Sequence, residues 1–389
     1  MPVSADPTSA AAKRAASAAL VAHLEASGYP RYEPPILQKV ELFFNSGEDI
    51  RSRLYLTSDL SGAEYCLRPE YTIPVCAHYL ASETAGLAAT YSYCGPVFRY
   101  RTDGPSEFLQ AGLENFGHPD REAADAEILG VALDAVAALG QSDLDVRFGD
   151  NGLIRDLVAV LDLSPQWQRR ILRGHAQDKS LDTILVQPAN GKGADHTGVL
   201  AALEGVDRQG ARALVEDLLS IAGISSVGGR SVAEIADRFL EQAALKSGDD
   251  FPADRHAILK EFLSIETDPD QASGRLRQLA ATTGLDLGAA LDRFDARLGF
   301  MAARGLDVAD FTFSTRFARD LEYYTGFVFE AFDRNRPREK PIVGGGRYDG
   351  LLKSLGGQDN IGADVGAVGA AIWIERLQLP ARGQADWWR

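Results

Sequence analysis

The stretch FLQAGLENFG, residues 108–117, alternates between two kinds of side chain with the period of a β-strand. Successive side chains of a strand point to opposite sides, so Gln110, Gly112 and Glu114 share one face and the apolar residues between them share the other. An amide and a carboxylate with a glycine between them can form the floor of a polar pocket. The exposed face of a half-buried sheet is the commoner explanation for such a pattern, so this stretch alone does not decide function.

A second β-like run, ATYSYCGPVFRYR at residues 89–101, precedes this strand. The linker between the two runs contains Asp103-Gly104-Pro105, which has the chemistry of a turn. Two antiparallel strands joined by a polar loop are therefore predicted.

Outward from this hairpin, the chain is β-rich, then helical, then β-rich again. We predict an α+β fold in which residues 1–150 and 305–389 form an antiparallel sheet flanked by helices, interrupted by a mostly helical insertion at 151–304. Within the last part, residues 344–346 predict a glycine-rich loop and residues 370–379 predict a short helix.

Composition excludes several classes of protein. The 389 residues carry 55 acidic and 40 basic side chains, a net charge of −15, which opposes binding to the phosphates of tRNA or DNA. No run of about 18 apolar residues and no signal peptide is present, so a cytoplasmic protein without membrane contact is expected. The three cysteines have no disulfide or zinc spacing and the six histidines lie in no ligand motif, so neither a metal nor a cofactor is predicted.

Polar residues that suit a ligand also occur outside the hairpin, in segments 67–72, 319–326 and 344–350. If the first of these is extended, Glu70 and Thr72 point to the same side. For each group a plainer role is the commoner one: a helix cap or a solvated position for Glu70 and Thr72, and core packing for the tyrosine pair at 323–324. The glycines at 344–346 lack the Gly-Lys-Ser/Thr ending of a phosphate-binding loop.

In this order and spacing, the segments resemble the catalytic core of histidyl-tRNA synthetase, a class II aminoacyl-tRNA synthetase. The resemblance runs from about residue 11 to 379, apart from the helical middle. It rests on Pro35, Phe98-Arg99, residues 108–117, RDLEYYT at 319–325, GGRYDG at 345–350 and Glu375-Arg376.

The resemblance implies a pocket for free L-histidine. Its carboxylate and amide acceptors suit the ammonium group and a ring N–H of the ligand, and an arginine fits the ligand carboxylate. Tyrosine rings can hold the imidazole by stacking and by phenol hydrogen bonds. The residues that match are Glu70, Thr72, Gln110, Glu114, Arg319, Tyr323, Tyr324 and Tyr348.

The nucleotide half of the synthetase site departs from the family pattern. Arg101 stands where the synthetases usually have glutamate, and Trp373 stands where they have a small glycine. An indole there would fill the adenine space, because glycine is used where another group approaches the backbone closely. Arg99 and Arg376 are retained, which favours the enzyme interpretation. These four residues are the predicted remnant of the nucleotide site. Because the sequence after Arg376 is short, we also expect the anticodon-binding domain of the synthetases to be absent.

This pattern of loss and retention resembles the regulatory subunits of ATP phosphoribosyltransferase, which are paralogues of the synthetase. Residues 67–79, with Tyr71 where the synthetases have glycine, fit that family as well. The resemblance implies a non-catalytic histidine sensor without catalytic residues. Its partner would be a short catalytic ATP phosphoribosyltransferase chain, and it would form a homodimer within a hetero-oligomer in the first step of histidine biosynthesis. Two alternatives stay open: a truncated histidyl-tRNA synthetase or other histidine-activating enzyme, and an interaction module without a ligand.

Overall fold

The computed structural model describes residues 7–44, 48–102, 104–185, 251–319, 323–336, 339–356 and 365–378, and positions 213, 217, 226–227 and 230–231. The strands are β1 Leu37–Lys39, β2 Leu56–Ser58, β3 Glu64–Leu67, β4 Ala89–Phe98, β5 Glu107–Phe116, β6 Leu144–Asp150, β7 Ser226–Val227, β8 Arg230–Ser231, β9 Glu266–Thr267, β10 Thr312–Ser314, β11 Phe327–Asp333, β12 Val343–Arg347 and β13 Ala367–Trp373. The helices are α1 Pro7–Ala26, α2 Glu48–Arg51, α3 Thr72–Leu80, α4 Arg121–Ala137, α5 Asn151–Val160, α6 Pro165–Ala176, α7 Leu181–Leu185, α8 Ala253–Phe262, α9 Pro269–Thr283, α10 Gly288–Ala303 and α11 Asp349–Leu355, with short 3-10 turns at Val40–Phe43, Val308–Asp310 and Ile374–Arg376.

One large sheet organises the described part of the chain. Its strand order is β4-β5-β13-β12-β11-β6-β10-β9, and neighbouring strands are antiparallel except for the parallel pair β6 and β10. Strands β4 and β5 pair along their full length, with Tyr93 opposite Gly112, so the predicted hairpin is confirmed. The α+β fold class predicted from the sequence is confirmed too.

The two faces of the sheet have different partners. Ala111 and Leu113 of β5 face the main hydrophobic core, where α1 and α4 cover the sheet through residues such as Leu20 and Leu129. The other face carries a second cluster that includes Tyr71, Tyr93, Tyr348 and Trp373. The polar side of β5 therefore points toward an aromatic layer and away from the main core. No helix among the described ranges has the length and apolar character needed to cross a membrane.

Local signals in the sequence explain where the helices begin. The Asp120 carboxylate accepts a hydrogen bond from the backbone N–H of Ala123 and caps α4. Asp268 caps α9 in the same way, with Pro269 at the first helical position, where its missing N–H costs nothing. Helix α9 ends at Thr283, and Gly284 caps it with a left-handed φ of 69°.

The described parts of residues 151–304 are mostly helical, as α5 to α10. Helix α10 packs on α4, and its Arg297 pairs with Asp125 of α4 and Asp150 of β6. The assignment of this region as a separate insertion stays a prediction.

Two predictions near the C-terminus are wrong. The glycines at 344–346 lie in β12 and not in a loop, and residues 367–373 form β13 where a helix was predicted from residue 370. The physical reason is close packing between strands: a Cβ on Gly345 would overlap the backbone carbonyl of Gly369 on β13. Pairing on both sides of β13, with β5 and β12, overrides the local helical preference of residues such as Ala370 and Ala371.

Candidate functional site

A cavity of about 840 Å³ opens on the sheet face that carries Gln110. Strands β5, β11, β12 and β13 form its floor, and the segment before α3 and the segment around residue 100 form its walls. Seven of the eight residues predicted to bind histidine line it: Glu70, Thr72, Gln110, Arg319, Tyr323, Tyr324 and Tyr348. The eighth, Glu114, lies beneath the floor and contacts two of the seven.

Glu114 is fully buried and is surrounded by hydroxyl groups. Its Oε1 accepts hydrogen bonds from the Thr72 hydroxyl at 2.9 Å and from the Tyr93 hydroxyl at 3.2 Å, and its Oε2 accepts one from the Tyr348 hydroxyl. Burial raises the pKa of Glu114 to about 8, although the hydrogen bonds from Tyr348 and Thr72 oppose the shift.

With a pKa of about 8, Glu114 holds its proton near neutral pH in the empty cavity, and the positive charge of a ligand bound nearby would favour its ionised form. The ionised form sets the polarity of the inner end of the cavity, the part lined by Thr72 and Tyr348. A carboxylate only accepts, so the three hydroxyls must donate to it. The oxygen atoms of Thr72 and Tyr348, which line the cavity, then have only lone pairs to offer a ligand. This end of the cavity suits a ligand that brings N–H donors, such as an ammonium group or an imidazole.

Two glycines leave room for this arrangement. A Cβ on Gly369 of β13 would overlap the Glu114 Oε2, and a Cβ on Gly112 of β5 would overlap the Tyr93 hydroxyl. Both residues are extended in the sheet, so the requirement is for space and not for an unusual backbone angle. Any larger residue at 369 would displace the carboxylate.

Glu70 is a helix cap that also lines the cavity. The condition that residues 67–72 are extended is not met at their end, because α3 begins at Thr72, and the commoner role of a helix cap is confirmed for Glu70. The Glu70 carboxylate accepts from the backbone N–H groups of Thr72 at 2.7 Å and Ile73 at 2.8 Å, which would otherwise lack partners in the first turn. Burial raises the pKa of Glu70, and these hydrogen bonds and the charge of Arg99 oppose that shift.

The aromatic wall comes from the segment after Arg319. The Tyr323 and Tyr324 rings lie 4.9 Å apart, and Tyr323 meets Tyr348 edge-on at 5.8 Å. The Thr325 N–H donates to the Arg347 carbonyl at 2.8 Å and holds this segment against β12. Residues 320–322 of the same signature lie outside the described residues.

Arg319 has a second role in the structure. Its Nε lies 3.4 Å from Glu330 Oε1, and its guanidinium lies over Tyr324. A Cβ on Gly344 would overlap this guanidinium, which explains the glycine at that point of β12. Arg319 therefore reaches the cavity already paired with a carboxylate.

The outer end of the cavity holds the four residues predicted as the nucleotide-site remnant: Arg99, Arg101, Trp373 and Arg376. The Trp373 indole is 7% exposed, and the Arg376 guanidinium lies 4.2 Å from its ring centroid. Arg101 covers the Phe108 ring at 3.7 Å. Burial lowers the pKa of Arg376 to about 10, and the like charges of Arg101, Arg99 and Arg319 act in the same direction.

Sequence reasoning missed several members of the site. Tyr93 donates to Glu114, and Arg53, Glu330 and Lys340 line the cavity. Tyr93 could have been found by aligning the predicted hairpin, because it lies opposite Gly112. The other three come from segments that only the tertiary fold brings together. Among the described residues, no group of three or more His, Cys, Asp or Glu residues is placed to hold a metal ion.

Comparison with known proteins places the chain in a family. A sequence profile described as histidyl-tRNA synthetase matches residues 4–225 and 209–377. The ATP phosphoribosyltransferase regulatory subunits of Brucella ovis and Brucella abortus are each 38% identical over 369 residues, covering 93% of this chain and 96% of theirs.

Solved structures agree on the fold. The chain is similar to an ATP phosphoribosyltransferase regulatory subunit/histidyl-tRNA synthetase from Bacillus halodurans, with a TM-score of 0.67 at 19% identity, covering 97% of this chain and 82% of that one. It is also similar to histidyl-tRNA synthetase from Nostoc sp. PCC 7120, with a TM-score of 0.63 at 16% identity, covering 97% and 74% of the two chains. The chain thus has the histidyl-tRNA synthetase fold and belongs to the family of ATP phosphoribosyltransferase regulatory subunits.

Proposed function

We propose that this chain senses free L-histidine and activates a short catalytic ATP phosphoribosyltransferase chain without doing chemistry itself. The observation that carries the proposal is the buried Glu114 with its three hydroxyl donors. That arrangement would make the inner end of the cavity a receptor for N–H groups.

Histidine fits this end by complementary hydrogen bonding. Its ammonium and one ring N–H would meet the oxygens of Thr72, Gln110 and Tyr348, while Glu114 compensates the positive charge from below. Tyr323 and Tyr324 would flank the imidazole ring. The ligand carboxylate would meet Arg319, which must then share its charge with Glu330.

The outer end supports regulation over amino-acid activation. Activation needs a purine beside the amino acid, and the buried Trp373 indole stands in the space where the synthetases have a glycine. The rival function, a histidine-activating enzyme, would use Arg99, Arg319 and Arg376 to hold the α-phosphate. Because these arginines line the cavity, the two proposed functions differ in whether the cavity can bind the purine of ATP.

Feedback follows by linkage. If histidine binds one state of the complex more tightly than the other, it shifts the population toward that state, and the partner's state alters histidine affinity by the same factor. We place the protein in a hetero-oligomer with the catalytic chain, as a homodimer, and without a role for tRNA.

The test is the activity of the short catalytic chain with and without this protein, across a histidine titration. We expect activation, co-elution of the two chains, and inhibition by histidine. Thr72→Ala should keep the activation and require about tenfold more histidine, because one charge-assisted hydrogen bond is lost. Thr90→Ala is the matched control: this half-buried threonine lies in the edge strand β4, its hydroxyl donates to the Gly28 carbonyl at 2.8 Å, and it is not among the residues that line the cavity. Absence of both activation and co-elution would contradict the proposal.

A further inference from the structure

Glu114 is a buried carboxyl group whose partners carry no positive charge. Among the described residues, every hydrogen bond to it comes from a hydroxyl: those of Thr72 and Tyr93 reach Oε1, and that of Tyr348 reaches Oε2. A carboxylate that is fully buried and bonded to no cation is costly, so such a group tends to hold a proton. A ligand that brings a positive charge to this end of the cavity would change that preference.

A second buried carboxyl group makes ionisation of Glu114 harder still. The two acids are joined through one threonine, because the Thr72 backbone N–H donates to Glu70 at 2.7 Å and its hydroxyl donates to Glu114 at 2.9 Å. Glu70 has more support for a negative charge: two backbone N–H groups donate to it, and the charge of Arg99 opposes the rise in its pKa. Glu114 is therefore the acid of the pair that keeps a proton before a ligand binds, and the charge of Glu70 helps to raise its pKa.

The other titratable groups that face Glu114 are a thiol and several phenols. They come from the elements packed against it: Cys76 of α3, Tyr93 of β4, Tyr348 after β12, and Tyr323 and Tyr324 of the segment after Arg319. Strand β13 meets Glu114 with Gly369, which has no charge, and the positive charge of Arg319 acts on the two tyrosines that follow it. Burial raises the pKa of the thiol and of each phenol, so these groups stay neutral near pH 7 and Glu114 is the member of the cluster that can change charge.

Tyr93 provides an acceptor for the proton of Glu114. Its hydroxyl oxygen lies 3.2 Å from Glu114 Oε1 and 3.4 Å from the backbone carbonyl oxygen of Ala370 on β13. When Glu114 is protonated, its O–H can donate to the Tyr93 oxygen while the Tyr93 O–H turns to the Ala370 carbonyl. The hydroxyls of Thr72 and Tyr348 still donate to the acid in this arrangement. The same side chains therefore satisfy both charge states of Glu114, and only the Tyr93 hydroxyl has to turn.

A cationic ligand favours the ionised form. In the proposed function the ligand carboxylate meets Arg319, so its ammonium and ring N–H face the oxygens of Thr72 and Tyr348, which are both bonded directly to Glu114. A positive charge at this distance stabilises a carboxylate, and the effect is large where the group is shielded from water.

We propose that histidine binding displaces the proton of Glu114 into the solvent, so that the histidine signal depends on pH. The inference rests on the proposed function, because it needs a cationic ligand at the inner end of the cavity. Zwitterionic histidine and the protein with neutral Glu114 give a complex with ionised Glu114, and one proton passes to the buffer. Because about one proton is released per ligand, histidine affinity should rise about tenfold between pH 6.5 and 7.5.

Calorimetry of the full-length protein with histidine counts these protons. Titrations at pH 7 in buffers that differ in ionisation enthalpy separate the heat of binding from the heat of buffer protonation, and they give the number of protons released per histidine. We expect about one for the wild type, and fewer as the pH rises above 8. Glu114→Gln keeps the shape of the side chain but has no proton to lose, so it should release none. Glu64→Gln, at the exposed first residue of β3, is the matched control and should release as many as the wild type.

Infrared difference spectroscopy decides the case in which Glu114→Gln does not fold or does not bind histidine. Adding histidine to the wild type should remove the carbonyl stretching band of a protonated carboxyl group, and Glu64→Gln should show the same loss. A band that stays unchanged when histidine is bound overturns the inference.

The outcomes separate this inference from the proposed function. If no histidine binds at any pH, the proposed function fails and the inference fails with it. If histidine binds without proton release and with the same affinity at pH 6.5 and 7.5, the inference is overturned while histidine sensing stands. The same conclusion follows if Glu114→Gln releases as many protons as the wild type.

Discussion

Glu114 shows how one residue can fix the chemistry of a whole cavity. It does not line the cavity, yet it decides which way the Thr72 and Tyr348 hydroxyls point, because each must donate to it when it is ionised. A glutamine at this position would also bring an NH₂ donor, so the Thr72 and Tyr348 hydroxyls could then either donate or accept. The specificity of the inner end therefore depends on a residue that a ligand need not touch.

The protonation of Glu114 makes a pH dependence testable. Burial raises its pKa to about 8 in the folded protein, above about 4.3 for an unperturbed glutamate. The folded state then holds the proton more tightly, so this group's contribution to the free energy of unfolding is full below about pH 4 and is lost as the pH rises through 8. We expect the wild type to lose stability, on the order of a few kcal/mol, between pH 5 and 9, and Glu114→Gln to lose much less.

Urea denaturation at both pH values measures this difference. Glu64→Gln, at the exposed first residue of β3, changes the same functional group at the surface and should follow the wild type. Equal slopes for Glu114→Gln and wild type would show that Glu114 does not titrate in this range.

At the scale of residues, the sequence predicted which side chains share a face of the sheet but not which side chains they contact. The period of two along residues 108–117 was enough to place Gln110 and Glu114 on one side and Ala111 and Leu113 on the core side. It was not enough to find Tyr93, because a cross-strand neighbour depends on register. The cap role of Glu70 depends on where α3 begins, which a short polar segment before Pro74 does not settle.

At the scale of elements, a buried ionic network joins helices to the sheet behind the site. Asp125 of α4 is fully buried, and its two oxygens bind Arg297 of α10 at 2.8 Å and Arg347 of β12 at 2.7 Å. Arg347 precedes Tyr348, and its carbonyl accepts from Thr325. The network therefore holds the strand and the segment that carry the tyrosines of the cavity.

Removing the charge of Asp125 should destabilise these elements. Asp125→Asn removes the carboxylate that two buried guanidinium groups share. Arg297 keeps Asp150 and Arg347 keeps Asp349, so we expect a loss of about 3 kcal/mol in the free energy of unfolding. Histidine affinity should fall too, because the β12 end of the cavity loosens. Asp134→Asn on the same helix breaks an exposed pair with Arg304 and should cost no more than about 1 kcal/mol. Denaturant unfolding and histidine calorimetry on both variants check this; equal losses for the two would contradict a special role for the network.

Helices were predictable where local signals such as caps mark them, whereas strands β12 and β13, which depend on pairing with other strands, were not. The caps at Asp120 and Asp268 mark helices that can be read from the sequence. Residues 344–346 and 370–373 were misassigned because glycine and alanine favour loops and helices when isolated. In the sheet, Gly345 allows β12 to pack closely against β13, Gly344 leaves space for Arg319, and the neighbouring Gly369 leaves space for Glu114.

At the scale of the whole molecule, charge is distributed unevenly. The chain carries a net charge of −15, yet the lining of one cavity is rich in arginine. A field of that sign discourages a long polyanion such as tRNA, which gains affinity from many phosphate contacts over a wide surface. A small anion that enters a cavity is affected mainly by the charges within a Debye length of about 8 Å at physiological ionic strength. On the proposed function, this chain keeps a cavity for small charged ligands while its net charge works against binding of nucleic acid.

The Trp373 indole leads to a prediction for the assay that separates regulation from amino-acid activation. A histidine-activating enzyme must exchange pyrophosphate into ATP when histidine is present, whereas a chain whose purine space holds the Trp373 indole should show no exchange above background. The measurement needs proof that histidine is bound: at 100 times its dissociation constant the ligand should add about 2.7 kcal/mol to the free energy of unfolding, visible as a rise in melting temperature. An active histidyl-tRNA synthetase serves as the positive control for exchange. Stabilisation by histidine without exchange supports the sensor, and neither effect would point to an interaction module without a ligand. Robust histidine-dependent exchange would instead make this chain an enzyme, with the indole displaced when ATP enters.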